Sequence, residues 1–327
     1  MRLLLRADAS GSIGVGHLAR AVAFAEEAVA RGWQVSLSGR TDNAEWLALR
    51  MAELGVHRRE PADDAASIGV LAREADVVLV DNYQLGEVRD EVNAAGATLV
   101  SMESRSFGRR AADVVVDSGL EPLPRPDDGS RRRLAGPEFA PLRQDVRLAR
   151  AHRGERREHP ERPRVVVVLG GGALWREIVT TLVTALRDTG VPCQVDVLAH
   201  GGPELPSAGT DQEFRLCPPD TRLPSRLADA DLAVSAAGVT LLELCCIGVP
   251  AAVVQLVDNQ AAGYRAAVRR ELVVGLGTAA MLDDGAVETL RTLLSEPRAR
   301  ERLAARSRQV VDGEGAARVL DAVLESA

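Results

Sequence analysis

Short apolar runs alternate with stretches of helical period along most of this chain. Residues 3–6 read as a strand, and the glycine-rich turn 8–16 follows. Residues 17–31 then carry Leu18, Val22, Ala25 and Val29 at helical spacing on one face. The same grammar continues with a strand at 33–38, a helix at 43–54 and a continuous apolar run at 77–80 that ends in Asp81. A strand buried on both faces of a parallel sheet has that unbroken look. A helix at 86–95 and strands at 98–102 and 114–116 complete the first half. Successive β and α elements imply right-handed parallel crossovers.

The pattern breaks at 147–163, RLARAHRGERREHPERP, which is charged and carries two prolines. It reads as an exit helix plus a linker. The second half restarts with RVVVVL at 164–169, the clearest strand in the sequence, running into Gly170, Gly171 and Gly172. A helix at 178–188 and strands at 194–198 and 232–235 come next. The turn Ala236-Ala237-Gly238-Val239 opens a helix at 240–247, which Gly248 and Pro250 stop. A strand at 251–255, a helix at 259–270 and tail helices near 287–294, 297–312 and 316–325 follow. The expected fold is therefore α/β: two Rossmann-like doubly wound domains in tandem, with strand C-terminal ends facing a central cleft. The expected boundaries are 1–147 for the first domain, 148–163 for the linker and 164–327 for the second.

Composition narrows the partners. The 327 residues exceed a single typical domain. A net charge of −7 and a pI near 5.4 argue against a nucleic-acid polyanion as partner. A nucleotide stays open, because backbone N–H groups can hold phosphate. Every basic side chain is Arg; without Lys there is no Schiff-base former and no Lys phosphate clamp. Cys193, Cys217, Cys245 and Cys246 form neither CxxC nor a zinc spacing. Cys245 and Cys246 read as buried small hydrophobes, in keeping with a reduced, cytoplasmic setting. Residues 1–10 turn polar too soon for a signal peptide, and no run reaches the ~18 apolar residues of a membrane span.

Three turns rich in glycine or other small residues carry the candidate chemistry. Asp8–His17 contains Gly14 and Gly16 between a strand and a helix, where a ligand can approach the backbone. It is not a Walker A loop, and it lacks the third Gly and the acidic residue of a nicotinamide site. The His17 that closes it lies at a helix start, where the dipole favours a neutral imidazole able to accept a proton. A packed or capping His is the plainer alternative. The second turn leads through Ser235, Gly238, Val239 and Thr240 to Glu243, with Asn259 and Gln260 further on. Its free N–H groups suit a diphosphate, and a carboxylate one turn along suits a ribose diol. Its bland counterpart is an ordinary helix start with an exposed Glu. The third, Gly170–Gly172 with Gly171 at its centre, is equally readable as a phosphate or sugar contact or as a tight turn. Asp81-Asn82-Tyr83 ends a buried strand, where α/β proteins bind ligands.

Taken in order, RADASGSIGVGHLAR, VDNYQL, AGPEFAPLR, VVVVLGGG, SAAGVTLLELCCIGVP and VDNQ resemble a known family over nearly the whole chain. It is the family of the pseudaminic-acid pathway hydrolase that acts on UDP-2,4-diacetamido-2,4,6-trideoxy-β-L-altropyranose. That family is similar to the GT-B glycosyltransferases, notably the peptidoglycan N-acetylglucosaminyltransferase. The resemblance implies a GT-B fold with UDP on the C-terminal domain and the sugar toward the N-terminal one. It implies His17 as the base for an attacking water, Tyr83 and Asn259 near sugar and phosphates, and Gly238, Thr240 and Glu243 in the UDP block. The sequence departs from the family on the sugar side. Asp-His-Tyr is Asp81-Asn82-Tyr83 here, a paired Asp is Glu103-Ser104, and no Asp follows the central glycines.

Two enzymatic readings follow. In one, His17 activates water and releases sugar from UDP, with no metal or cofactor, since no carboxylate cluster suits Mg²⁺. In the other, the same His17 deprotonates a small-molecule acceptor such as a natural product or a nucleobase. A nucleotide-binding regulator without turnover is a third, non-enzymatic possibility.

Overall fold

The structure is a computed structural model and describes residues 1–11, 13–155, 160–170, 175–199, 202–218 and 222–325. The strands fall into two all-parallel sheets. The first half supplies β1 (Arg2–Ala7), α1 (Gly16–Ala30), β2 (Gln34–Ser38), α2 (Glu45–Glu53), β3 (His57–Arg59) and α3 (Ala65–Ala72). It continues with β4 (Val77–Asp81), α4 (Arg89–Ala94), β5 (Thr98–Glu103), β6 (Val114–Asp117) and β7 (Arg132–Ala135). The strand order is β3-β2-β1-β4-β5-β6-β7. Neighbours run parallel, so the order reverses between β1 and β4, whose ends pair Ala7 with Asp81.

The second half begins with α5 (Gln144–Glu155), then β8 (Arg164–Val168), α6 (Arg176–Asp188), β9 (Cys193–Leu198), β10 (Gln212–Cys217) and α7 (Leu223–Asp229). After these come β11 (Leu232–Ala236), α8 (Thr240–Ile247), β12 (Ala251–Gln255), α9 (Ala261–Arg269), β13 (Val274–Thr278), α10 (Asp284–Ser295), α11 (Pro297–Arg308) and α12 (Gly315–Leu324). The sheet runs β10-β9-β8-β11-β12-β13, with its reversal between β8 and β11. Both sheets therefore have the doubly wound topology expected, each with one switch point.

The apolar periodicity is why these elements form. Leu18, Val22 and Ala25 of α1 are fully buried against Leu3, Leu5 and Leu37 of the sheet. In the other sheet Val165, Val167, Val195, Val197 and Val234 meet Leu182, Val183 and Leu186 of α6. Burying one such aliphatic side chain contributes about 1.5–3 kcal/mol. Cys245 and Cys246 are buried in α8, and burial pushes their thiols up to about 12 and about 11.

The chain divides into one unit of Met1–Gln144 with Gly313–Ala327, and a second of Asp145–Asp312. Here the structure differs from the sequence expectation at both junctions. The helix expected to leave the first domain belongs to the second, because its arginines cap carbonyls there. Arg150 Nη1 donates to Cys246 O at 2.6 Å and Val311 O at 3.0 Å, and Arg153 Nη1 donates to Ala230 O at 2.6 Å. The tail helix α12 was expected in the second domain and lies on the first. Its Val319, Leu320 and Val323 join the core around α1, and Asp321 accepts from Arg31 at 2.7 Å.

Candidate functional site

In the first unit the expected residues gather at the switch point. β1 ends at Ala7, and the Gly-rich turn leaves it toward α1. Ser10 and Gly14 close that turn on each other, with Gly14 N donating to Ser10 O at 2.8 Å. Gly14 takes φ +79°, a left-handed conformation that costs a side-chain-bearing residue about 1 kcal/mol or more. Gly16 is the first residue of α1, whose start has no side-chain cap. His17 follows, only 7% exposed.

Its partner comes from the neighbouring strand. Asp81, fully buried at the end of β4, places Oδ1 2.7 Å from His17 Nδ1. Arg20, one turn along α1 from His17, grips the same carboxylate: Nε donates to Oδ2 at 2.6 Å and Nη2 to Oδ1 at 2.9 Å. Burial pushes the Asp81 carboxyl up, but the charge of Arg20 and the hydrogen bonds from Arg20 and His17 outweigh it and hold it well below the ordinary range. Burial likewise lowers the Arg20 guanidinium, and Asp81, helped by Tyr83, more than restores it. An ionised carboxylate only accepts hydrogen bonds. A proton on Nδ1 would point into the bond with Asp81, and in the neutral imidazole that arrangement leaves the lone pair on Nε2. Arg20 Nη2 lies 2.9 Å from Nδ1 and adds positive charge behind the ring.

Tyr83 packs edge-on against His17, with ring centroids 4.4 Å apart and planes at 83°. Asn82 sets it there. Its Nδ2 donates to Asp8 Oδ2 at 2.8 Å, and its Oδ1 accepts from Gln84 N at 2.7 Å and Leu85 N at 2.9 Å. Asn82 is thus a satisfied, buried turn residue. Glu103 ends the next strand, buried and paired with Arg125, and burial pushes its carboxyl up.

In the second unit the other residues gather at the β8/β11 switch point. Ser235 pairs with Val168 across the strands and donates its hydroxyl to Val168 O at 2.8 Å. That side chain ties β11 to β8, and its donor is spent within the sheet. Gly238, Val239 and Thr240 are half-buried at the start of α8, which has no side-chain cap. Their amides have no intrahelical acceptor, as at any helix start. Glu243 is buried one turn later, not exposed. Gln260 accepts from Leu256 N at 3.0 Å through Oε1, so its amide nitrogen faces Gly238, 3.6 Å from where a Cβ would stand. Asn259 is exposed in a 3₁₀ turn of Asp258–Gln260. Gly171 lies outside the described residues.

Arg20 and the pairing role of Asp81 were not foreseen. The i, i+3 spacing of His17 and Arg20, with a lone carboxylate ending an apolar strand, was the available signal. A hollow of about 490 Å³ lined by Arg2, Gln34, His57 and Glu74 opens at the N-terminal ends of the strands and holds none of the site residues. Among the described residues no three or more His, Cys, Asp or Glu side chains form a metal-binding group, and no helix is long and apolar enough to cross a membrane.

No family model and no curated protein matches the chain. Solved structures do match it over its full length. MurG of Acinetobacter baumannii superposes with a TM-score of 0.69 at 17% identity, covering 99% of each chain. The glycotransferase of kitacinnamycin gives 0.64 at 17% identity, over 99% of this chain and 98% of the other. The UDP-GlcNAc 2-epimerase of Neisseria meningitidis, bound to UDP-GlcNAc, gives 0.63 at 11% identity, over 99% and 100%. These likenesses establish the GT-B fold for this chain.

Proposed function

We propose that this chain is a nucleotide-sugar enzyme that breaks the bond between a sugar's anomeric carbon and UDP, with His17 as the base. The observation that carries the reading is the His17–Asp81–Arg20 arrangement. Asp81 fixes the ring by accepting a hydrogen bond from Nδ1–H, which leaves Nε2 to accept a proton from an attacking hydroxyl. A buried structural His needs no carboxylate that is itself clamped by Arg.

The same chemistry serves two nucleophiles. With water, the sugar is released; with an organic hydroxyl, it is transferred. In either case the nucleophile's oxygen bonds to the anomeric carbon, its proton passes to Nε2, and the electron pair of the broken C–O bond leaves on the diphosphate. Within the second unit, the amides of Gly238, Val239 and Thr240 suit a diphosphate, with Glu243 suited to the ribose and Asn259 and Gln260 to the phosphates. The fold neighbours support a nucleotide-sugar substrate: one is bound to UDP-GlcNAc, and another, the glycosyltransferase VinC, is in complex with dTDP. The hydrolase resemblance rests on the motif order and supports UDP and His17 more than any particular sugar.

The test is a panel of UDP- and dTDP-sugars, with and without added acceptors, scored for free nucleoside diphosphate and for sugar product by NMR. Release of UDP that vanishes in His17→Ala supports the reading. Unaltered release by that variant, or none from any donor, overturns it.

A further inference from the structure

The chain has three Trp, two Tyr and four Phe, all among the described residues, and just two of these rings are exposed. They are Tyr83 at 36% and Phe107 at 48%, and they touch: their centroids are 5.9 Å apart with planes tilted by 32°. Tyr83 in turn packs on the imidazole of His17. Exposed aromatic surface that clusters is seldom idle.

The backbone is shaped to hold the pair. Ser104 and Phe107 close the β5–β6 connection with reciprocal bonds, Ser104 N to Phe107 O at 3.0 Å and Phe107 N to Ser104 O at 2.9 Å. Gly108 follows at φ +70°, and a Cβ there would stand 2.8 Å from Tyr83 Cδ1. Only a glycine lets the loop lie this closely against the tyrosine ring.

We propose that Tyr83 and Phe107 form a ledge for an acceptor bearing a planar aromatic ring, and that this acceptor's hydroxyl receives the sugar. The inference rests on the reading of His17 as base. Water as nucleophile needs no apolar surface, and exposed rings beside the base are wasted on it. A flat arene buries apolar surface on both sides against the pair, whereas a sugar offers only its C–H face and must desolvate hydroxyls to do so. The two rings are too small for a protein partner, since stable interfaces cover about 800 Å² on each side. The acceptor O–H would lose its proton to His17 Nε2 as its oxygen replaces the diphosphate oxygen on the anomeric carbon.

The probe is 1-naphthol, a planar hydroxyarene, titrated by fluorescence against the full chain, Phe107→Ala and Phe107→Trp. Saturable binding that weakens tenfold or more in Phe107→Ala and survives in Phe107→Trp supports the ledge. UDP affinity, measured by calorimetry on the same variants, should stay within twofold. No binding of 1-naphthol, or equal binding by Phe107→Ala, overturns the inference. A matching loss of UDP affinity overturns it too, because the rings would then hold the donor's base. If naphthol binds as expected and no nucleotide-sugar is cleaved, the ledge stands and the reading of His17 falls.

Discussion

His17 on α1 is bonded through Nδ1 to Asp81 at the end of β4, 2.7 Å away across the point where the first sheet reverses its strand order. The two lie 64 residues apart in the chain. Their meeting depends on β1 and β4 being neighbours, with Ala7 and Asp81 in register. An imidazole oriented by a buried carboxylate, itself neutralised by Arg20, is the arrangement on which the proposed base role of His17 rests.

Replacing His17 by Ala should lower kcat by about 10²–10⁴-fold, the usual worth of a general base. UDP affinity should be retained, since the proposed diphosphate donors belong to α8. Steady-state rates and calorimetry on the same protein check this. An equal loss of UDP binding would make His17 a binding residue.

Asp81→Asn should cost activity even with His17 present. An amide can turn its N–H toward Nδ1, which favours the wrong tautomer and leaves Nε2 protonated. The change also strands Arg20 in a buried site, at a cost on the order of 3 kcal/mol in stability. A rate loss of about 10²-fold or more with a lowered melting temperature is expected. Full activity at a normal melting temperature would disprove the orienting role.

Acid stability should carry the Asp81 signature. Its folded-state value lies below that of an unfolded Asp, ~3.9. The carboxylate's contribution is therefore fully present above the unfolded value and is lost as pH falls through and below it. Melting temperature should hold down to about pH 5 and then fall. In Asp81→Asn the decline should be shallower; an identical slope in both proteins would assign the acid loss to other carboxylates.

Glu243→Ala should weaken UDP binding by roughly tenfold or more, the value of a hydrogen bond to a charged group. Glu243 is buried one turn into α8, so the loss should appear in affinity before rate. Unchanged calorimetric affinity would remove the ribose assignment.

Gly315→Ala tests the placement of the tail helix. A Cβ at Gly315 would stand 2.2 Å from Ala140 O, which is backbone and has little room to move. The substitution should destabilise the first unit by about 1–3 kcal/mol, the range of a typical overpacking change. A melting temperature equal to the parent's would mean that α12 is not seated against that unit.

The sequence by itself determined the two doubly wound units and their switch-point turns. Strands buried on both faces must be nearly all apolar, so β1, β4, β8, β11 and β12 were legible as strands. The strands it did not announce, β3, β7, β10 and β13, are the four edges of the two sheets. An edge strand packs on fewer neighbours, and His57–Arg59 and Arg132–Ala135 carry polar and charged residues accordingly. The turns before α1 and α8 were also readable as helix starts, because small residues let the backbone turn sharply from strand into helix. Only the tertiary structure decided who holds His17, that Asn82 serves the turn, that Ser235 spends its proton on Val168, and that α5 and α12 change units. Each of these is a pairing between distant segments, set by strand register and by which carbonyls an Arg can reach, and neither quantity is written in local spacing.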